Sequence, residues 1–467
     1  MSDLWMMDAS DIAARVRGGD LSATEVTEAH LARINVIEPD LNAIVIRRDD
    51  AARAEAAAVD SAIARGDDPG PLAGVPATVK LNIDVAGEPT TDGVAARAEH
   101  IAPADSPIVS RLRDAGAVIV GRTNLPDAGM RIDTSSELHG RTHNPWRRGV
   151  TAGGSSGGEG ASLATGMSAV GLGNDIGGSV RNPATANSIA SIKPSVGRVP
   201  SYRRMDGRES LTDLLMASDG PMARRVADVE LTLGVIAGAH PLDPIAQPVP
   251  LALPDHRTNR VAVLADVPGA DTDAGVAAVI REAAAALADS GVEVVEAVPP
   301  QFDDVFRCWA TLLLGGLDPA DPGAAEMIVG DAVGEFLINA ATFAAESGLV
   351  SPTHSWGMRH HLQREWALWF ADYDAVLTPA WTRLPWAGDS DLDGASGIQL
   401  VLHTIRAITP GNALGLPSAC VPAGIVDGLP VGALLTGPMW SDLRMLELAK
   451  PIEAALAPTT PLDPRTS

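Results

Sequence analysis

The sequence predicts an α/β fold, a mixed or parallel sheet covered by helices on both faces. Three observations carry this. From about residue 70, short β-branched runs alternate with helical segments. Arg260 to Ala265, Asp273 to Ser290 and Val292 to Val298 read as strand, helix and strand, a βαβ unit with a right-handed crossover. The 467 residues are 46% hydrophobic and 20% charged, which supplies a large core and excludes a disordered chain.

The elements follow in order. The first 65 residues read as helices. Asp11 to Val16 is short and ends at Gly18-Gly19. Ser22 and Glu25 form a capping box that opens a run to about Ile37, stopped by Pro39. Arg48 to Arg65 is Ala-rich, with Gly66 as its end cap. Val75 to Leu81 is a strand, Pro107 to Asp114 a helix capped by Ser106, and Ala117 to Val120 a strand. Gly149 to Arg198 is dense in Gly, Ser and Ala, interrupted by buried-strand character at Val170 to Leu172 and Ile189 to Ile192. After a Pro-rich passage, Pro241 to Pro254, comes the βαβ unit. Residues 302 to 371 look helical, and Tyr373 to Thr378, Ser418 to Pro422 and Val431 to Thr436 read as strands. Seven of the nine tryptophans follow residue 300, either packing a late helix on the sheet or walling an apolar or aromatic substrate.

Composition excludes several classes. A formal charge of −24 argues against a nucleic-acid surface, which needs clustered cations. Two cysteines, Cys308 and Cys420, cannot staple a chain this long, so a reduced cytoplasmic setting is expected. Met1 to Ala14 lacks the basic and apolar regions of a signal peptide. No stretch reaches the ~18 to 20 strongly apolar residues of a spanning helix, so no membrane partner is expected. Of 35 basic residues only Lys80, Lys193 and Lys450 are lysine. Lysine is thus kept at few places, and Lys80 ends an apolar strand.

Gly153-Gly-Ser-Ser-Gly-Gly158 is the most unusual hexapeptide, and Ser179, in Asp175-Ile-Gly-Gly-Ser-Val-Arg181, lies 24 residues beyond Ser155. Gly-flanked serines suit backbone that approaches a ligand closely and presents amides. A phosphate loop would need a lysine after the glycines, and none follows. A dinucleotide fingerprint fails at Ile176. Gly153-x-Ser155-x-Gly157 matches a nucleophile elbow, but Asn144 to Thr151 is a poor strand and no downstream histidine sits in a distinctive segment. A serine without an assured histidine needs another base. A buried lysine serves if burial lowers its pKa, and a second serine can relay the proton.

The chain resembles the amidase signature family. Pro71 to Lys80 is similar to the segment carrying the family's lysine, Gly153 to Gly158 to its Gly-Gly-Ser-Ser-Gly-Gly motif, and Asp175 to Arg181 to its nucleophile segment. Gly121 to Asp127, Thr142 to Trp146, Lys193 to Pro200, Gly220 to Arg224 and Gly415 to Pro438 extend the resemblance along nearly the whole chain. It implies the amidase signature fold, an α/β/α sandwich, as one domain over 1–467. Within it, 1–65 is a helical layer, 66–240 the catalytic region, and 241–467 an α/β completion with pocket elements.

The resemblance also implies roles. Ser179 is the nucleophile, Ser155 the bridging serine after a cis peptide, and Lys80 the base. The N–H groups of Ile176, Gly177, Gly178 and Ser179 form the oxyanion hole. Ser156 supports Lys80 or the loop, Asp175 and Arg181 brace the loop, and Asn174 faces substrate. Met130 and Ile132 are pocket candidates or core. Lys193 is structural and Lys450 has no motif around it. Two departures stand out. Arg122 replaces a frequent lysine, and Ala186 to Ser191 replaces a Phe-Cys-Gly-x-x-Gly pattern, with serine for both glycines.

The implied activity is cleavage of a small amide C–N bond through an acyl-enzyme, with an aryl or apolar substrate and with esters or carbamates (urethanes) as further substrates. The alternative is a glutamine-hydrolysing subunit of an amidotransferase complex. No cofactor is expected, and the ten histidines show no metal-ligand spacing. A homodimer is the expected assembly.

Overall fold

The alternation of apolar residues along the strands builds one eleven-stranded sheet in the computed structural model, which describes residues 3–202, 210–255, 257–315, 329–349 and 352–465. Its strands are β1 (Ile44–Arg47), β2 (Pro76–Lys80), β3 (Val118–Thr123), β4 (Val170–Asp175), β5 (Ala190–Lys193), β6 (Ser218–Ala223), β7 (Arg260–Val263), β8 (Glu293–Glu296), β9 (Ala375–Pro379), β10 (Ser418–Val426) and β11 (Leu429–Thr436). Their spatial order is β1-β3-β2-β4-β6-β5-β10-β11-β9-β7-β8. The pairs β2/β3, β2/β4, β7/β8 and β7/β9 are parallel and the others antiparallel, so the sheet is mixed, as expected.

Period-2 alternation feeds two cores. Ala419, Val421 and Ala423 of β10 enter one, and Cys420 enters the other. The first core takes the helices Val226–Ile236, Ala274–Asp289 and Asp442–Leu456. The second takes Phe302–Leu314, Pro352–Trp369 and Gly394–Thr404. Both faces of the sheet are therefore covered.

The N-terminal segment forms α1 (Ala9–Arg17), α2 (Ala23–Leu41) and α3 (Asp49–Arg65). The Ser22/Glu25 capping box and the Gly66 cap, at φ 81°, are both present. The layer is not wholly helical, because Ile44–Arg47 joins the sheet edge antiparallel to β3. Pro39 does not stop α2. A proline removes only its own bond to the preceding turn, and the helix runs to Leu41, where left-handed Asn42 donates to Glu38 O at 3.0 Å. Pro107 begins α4 (Pro107–Asp114), but Ser106 makes no side-chain cap bond and its hydroxyl is buried without a partner.

Two short helices complete the central region, α5 (Gly157–Ala164) and α6 (Arg181–Asn187). The βαβ unit forms as expected, with β7 and β8 parallel around Ala274–Asp289. Of the expected helical stretch 302–371, residues 316–328, 350 and 351 lie outside the described residues; the rest forms Phe302–Leu314, Asp331–Glu346 and Pro352–Trp369. No described helix is long and apolar enough to cross a membrane.

Ser188 gives a physical meaning to one departure from the family pattern. It ends α6 in the left-handed region, at φ 59°, where glycine is the usual residue, and its hydroxyl is buried without a partner. Ser188→Gly is expected to raise unfolding stability by about 1 kcal/mol, read from urea denaturation midpoints; a loss of stability would refute this account of the position.

Candidate active site

Parallel strands β2 and β4 lie side by side, with Thr78 opposite Gly171 and Val79 opposite Leu172. The site is built beyond their carboxyl ends, the usual ligand position in open α/β sheets. Lys80 is the last residue of β2 and Asp175 the last of β4. Lys80 is fully buried, and its Nζ donates to Ser155 Oγ at 2.7 Å and to Asn174 Oδ1 at 2.8 Å. The Gly154–Ser155 peptide is cis. Gly129, with φ 70°, passes over the Ser155 hydroxyl, and a Cβ there would lie 3.3 Å from it.

The Ser179 segment is held from both sides. Ser156 N–H donates to Ser179 O at 3.2 Å, and Asn182 Nδ2 donates to Gly154 O at 2.9 Å and Gly177 O at 3.1 Å. Asn182 Oδ1 accepts from Trp381 Nε1 at 2.8 Å. One buried amide thus joins the peptide before Ser155 to the loop before Ser179.

Asp175 and Arg181 form a bidentate pair at 2.9 and 2.8 Å, and Arg181 also reaches Ile408 O and Asn412 Oδ1. Burial alone raises the Asp175 carboxyl. The charge and hydrogen bonds of Arg181 outweigh it and hold the group well below the ordinary carboxylate range. Arg122 is fully buried and donates to Ile83 O at 2.5 Å and Pro89 O at 3.1 Å, which secures the chain leaving Lys80; burial brings its guanidinium down to about 10.

The structure gathers the expected residues and corrects one assignment. Gly178 N–H, expected in the oxyanion hole, donates to Asp175 Oδ1 at 2.8 Å, because its φ of 99° turns the amide inward. The N–H groups of Ile176, Gly177 and Ser179 make no hydrogen bond among the described residues. Asn174, expected at the substrate, spends its amide on Lys80 and on Asn82 Oδ1 at 2.8 Å. The Ser156 hydroxyl is buried without a partner, so its support comes through its backbone. Met130 is exposed beside Gly129, whereas Ile132 is core. Lys193 is fully buried, and its Nζ donates to Pro194 O at 2.7 Å; Lys450 pairs with Glu230 at the surface.

The tryptophans divide. Trp366 and Trp369 pack with Phe302, Phe370 and Tyr373 in the core. Trp309 donates to Ile176 O at 3.2 Å and abuts Gly177, where a Cβ would meet its ring at 3.1 Å. Among the described residues, Asp133, Asp389 and Asp391 could close on a metal, but Arg131 and Arg141 already pair with all three. Sequence reasoning missed Asn182, Asn82, Trp309 and Glu159. The available signals were a polar residue beside Arg181 and an acid following the Gly-Ser run.

The Amidase family model matches residues 25–318 and 337–446. The chain belongs to the amidase signature family. An indoleacetamide hydrolase of Bradyrhizobium diazoefficiens is 39% identical over 96% of this chain and 86% of its own length. The A-type subunit of a glutamyl-tRNA(Gln) amidotransferase from Salinispora tropica is 32% identical over 99% of both chains. The crystal structure of a bacterial aryl acylamidase of the amidase signature enzymes superposes with a TM-score of 0.81, at 26% identity, over 99% of this chain and 98% of that one. This amidase signature protein is therefore a hydrolase of amides, with its family's mixed sheet between helical layers.

Asn182→Leu keeps the branched side-chain shape and deletes the bonds to Gly154 O and Gly177 O. We expect the second-order rate of fluorophosphonate labelling to fall about ten- to hundredfold, the equivalent of about 1.4 to 3 kcal/mol. An unchanged rate would show that the bridge does not position the serines.

Proposed function

We propose that the enzyme hydrolyses a small aryl-acyl amide through an acyl-enzyme on Ser179. The observation that carries this is the buried Lys80 Nζ to Ser155 Oγ hydrogen bond of 2.7 Å, beside the loop that presents Ser179. Lys80, neutral, takes the Ser155 proton as Ser155 takes that of Ser179. Ser179 Oγ bonds to the acyl carbon, and the carbonyl oxygen meets the N–H groups of Ile176, Gly177 and Ser179, each typically worth ~3 to 4 kcal/mol in such holes. The C–N bond breaks as the proton returns along the serines to the departing nitrogen. Water then cleaves the ester by the same relay and releases the acid.

The aryl preference is supported by the 39% identity to an indoleacetamide hydrolase and by Trp309 against Gly177. Carbamates and esters belong to the same proposal, since the acyl-enzyme chemistry is common to them. A cytoplasmic setting is supported by two buried free cysteines. The second reading, glutamine hydrolysis for a partner enzyme, is favoured by the amidotransferase relative matched along its full length.

Purified protein alone, offered indole-3-acetamide, an anilide, a phenyl carbamate, an aryl ester and glutamine, distinguishes the two. The expected result is release of acid from the aryl amides, with Lys80→Ala slower by about a thousandfold or more, the size of loss seen on removing a catalytic base. Glutamine as the preferred substrate would overturn the aryl-amide reading.

A further inference from the structure

Glu159 is a fully buried acid that the mechanism above does not use. It lies on α5, four residues after Ser155, against the face of the sheet that carries Lys80. Thr78 Oγ1 donates to its Oε2 at 2.5 Å and Thr123 Oγ1 to its Oε1 at 2.7 Å. Thr78 is two residues before Lys80 on β2 and so shares its face. Thr123 is the register partner of Lys80 on β3. Gly171, opposite Thr78 on β4, leaves the space: a Cβ there would lie 2.2 Å from Oε2. Three adjacent strands are thus shaped to hold one carboxyl beneath the lysine.

We propose that Glu159 is a positioning residue for the reaction, a sealed acid whose charge sets how readily Lys80 gives up its proton. The inference rests on Lys80 being the base. A carboxylate near a buried lysine favours the ammonium form, and the lysine must be neutral to act. Burial pushes Glu159 up to about 7, against the pull of the two threonine hydroxyls and of the charges of Lys80 and Arg122. The acid and the lysine are thus coupled through their charges. Among the other charged groups near the site, Arg181 on α6 binds Asp175, buried Asp84 follows Lys80 in the chain, and Asp219 on β6 lies opposite Asn174, one position from the Gly173 face that Glu159 occupies. Thr78 also touches Ser168 at 3.0 Å and Ser168 touches Ser162 at 2.9 Å. That hydroxyl chain can reverse its donor direction as Glu159 gains or loses its proton.

The test is the pH dependence of fluorophosphonate labelling in wild type, Glu159→Gln, Thr78→Val and Lys80→Met. The sign is fixed: removing the anion eases Lys80 deprotonation, so the acidic limb of Glu159→Gln moves to lower pH. A shift of about half a pH unit or more is expected. Thr78→Val removes one donor to the carboxylate, favours the neutral acid, and shifts the limb the same way by less. It carries the test if Glu159→Gln does not fold. A merely structural acid would change the plateau or the thermal midpoint and leave the limb in place, and that result overturns the proposal. Unimpaired labelling of Lys80→Met would instead overturn the base assignment, and this inference with it.

Discussion

Lys80 is an amine kept wholly out of water, with Ser155 Oγ at 2.7 Å and Asn174 Oδ1 at 2.8 Å. A buried amine can carry its proton only where the charge is compensated, and an uncompensated one costs several kcal/mol. The architecture answers this in two ways. It surrounds the amine with hydroxyl and amide oxygens, and it places Glu159 under the same strand end. The parallel pairing of β2 with β3 and β4 sets the ends of these strands side by side, with Thr123 opposite Lys80.

The proposed base is useful only if the two serines stay in register with it. The Asp175–Arg181 pair spends its oxygens on the N–H groups of Gly178 and Val180, so the loop is braced from inside. Asn182 braces it from outside by binding Gly154 O and Gly177 O together, and Trp381 holds Asn182 in turn. These bonds are buried, and losing one leaves polar groups unsatisfied at a cost of about 1 to 3 kcal/mol each. Rigidity at the site therefore comes from satisfied interior polar groups rather than from apolar packing alone.

Much of this was legible in the chain. The lysine at a strand end, the two Gly-flanked serines and the βαβ unit are local patterns, and each appears where the residues indicated. Ser218–Ala223 was not legible. It contains Asp, Gly and Pro, residues poor in strands, yet all six are buried and the segment pairs between β4 and β5; tertiary context overrides propensity there. The β10/β11 hairpin runs longer than its apolar runs because Asp427-Gly428, both at positive φ, closes a tight turn. Gly178 shows the limit of motif reasoning: its N–H belongs to the expected segment, but its direction depends on φ and on Asp175, which spacing does not encode. Glu159 and Asn182 bond to partners far away in sequence, Thr78 and Trp381, so their local signals, an acid after the Gly-Ser run and a polar residue beside Arg181, do not reveal those contacts.

The central claim is that Lys80, through Ser155, activates Ser179. Peptide mass spectrometry of the wild type and of Ser155→Ala, Ser179→Ala and Lys80→Ala after fluorophosphonate treatment tests it directly. The account predicts one adduct, on Ser179, formed far more slowly without Lys80 or Ser155 and absent from Ser179→Ala. An adduct on Ser155 in the wild type would contradict it.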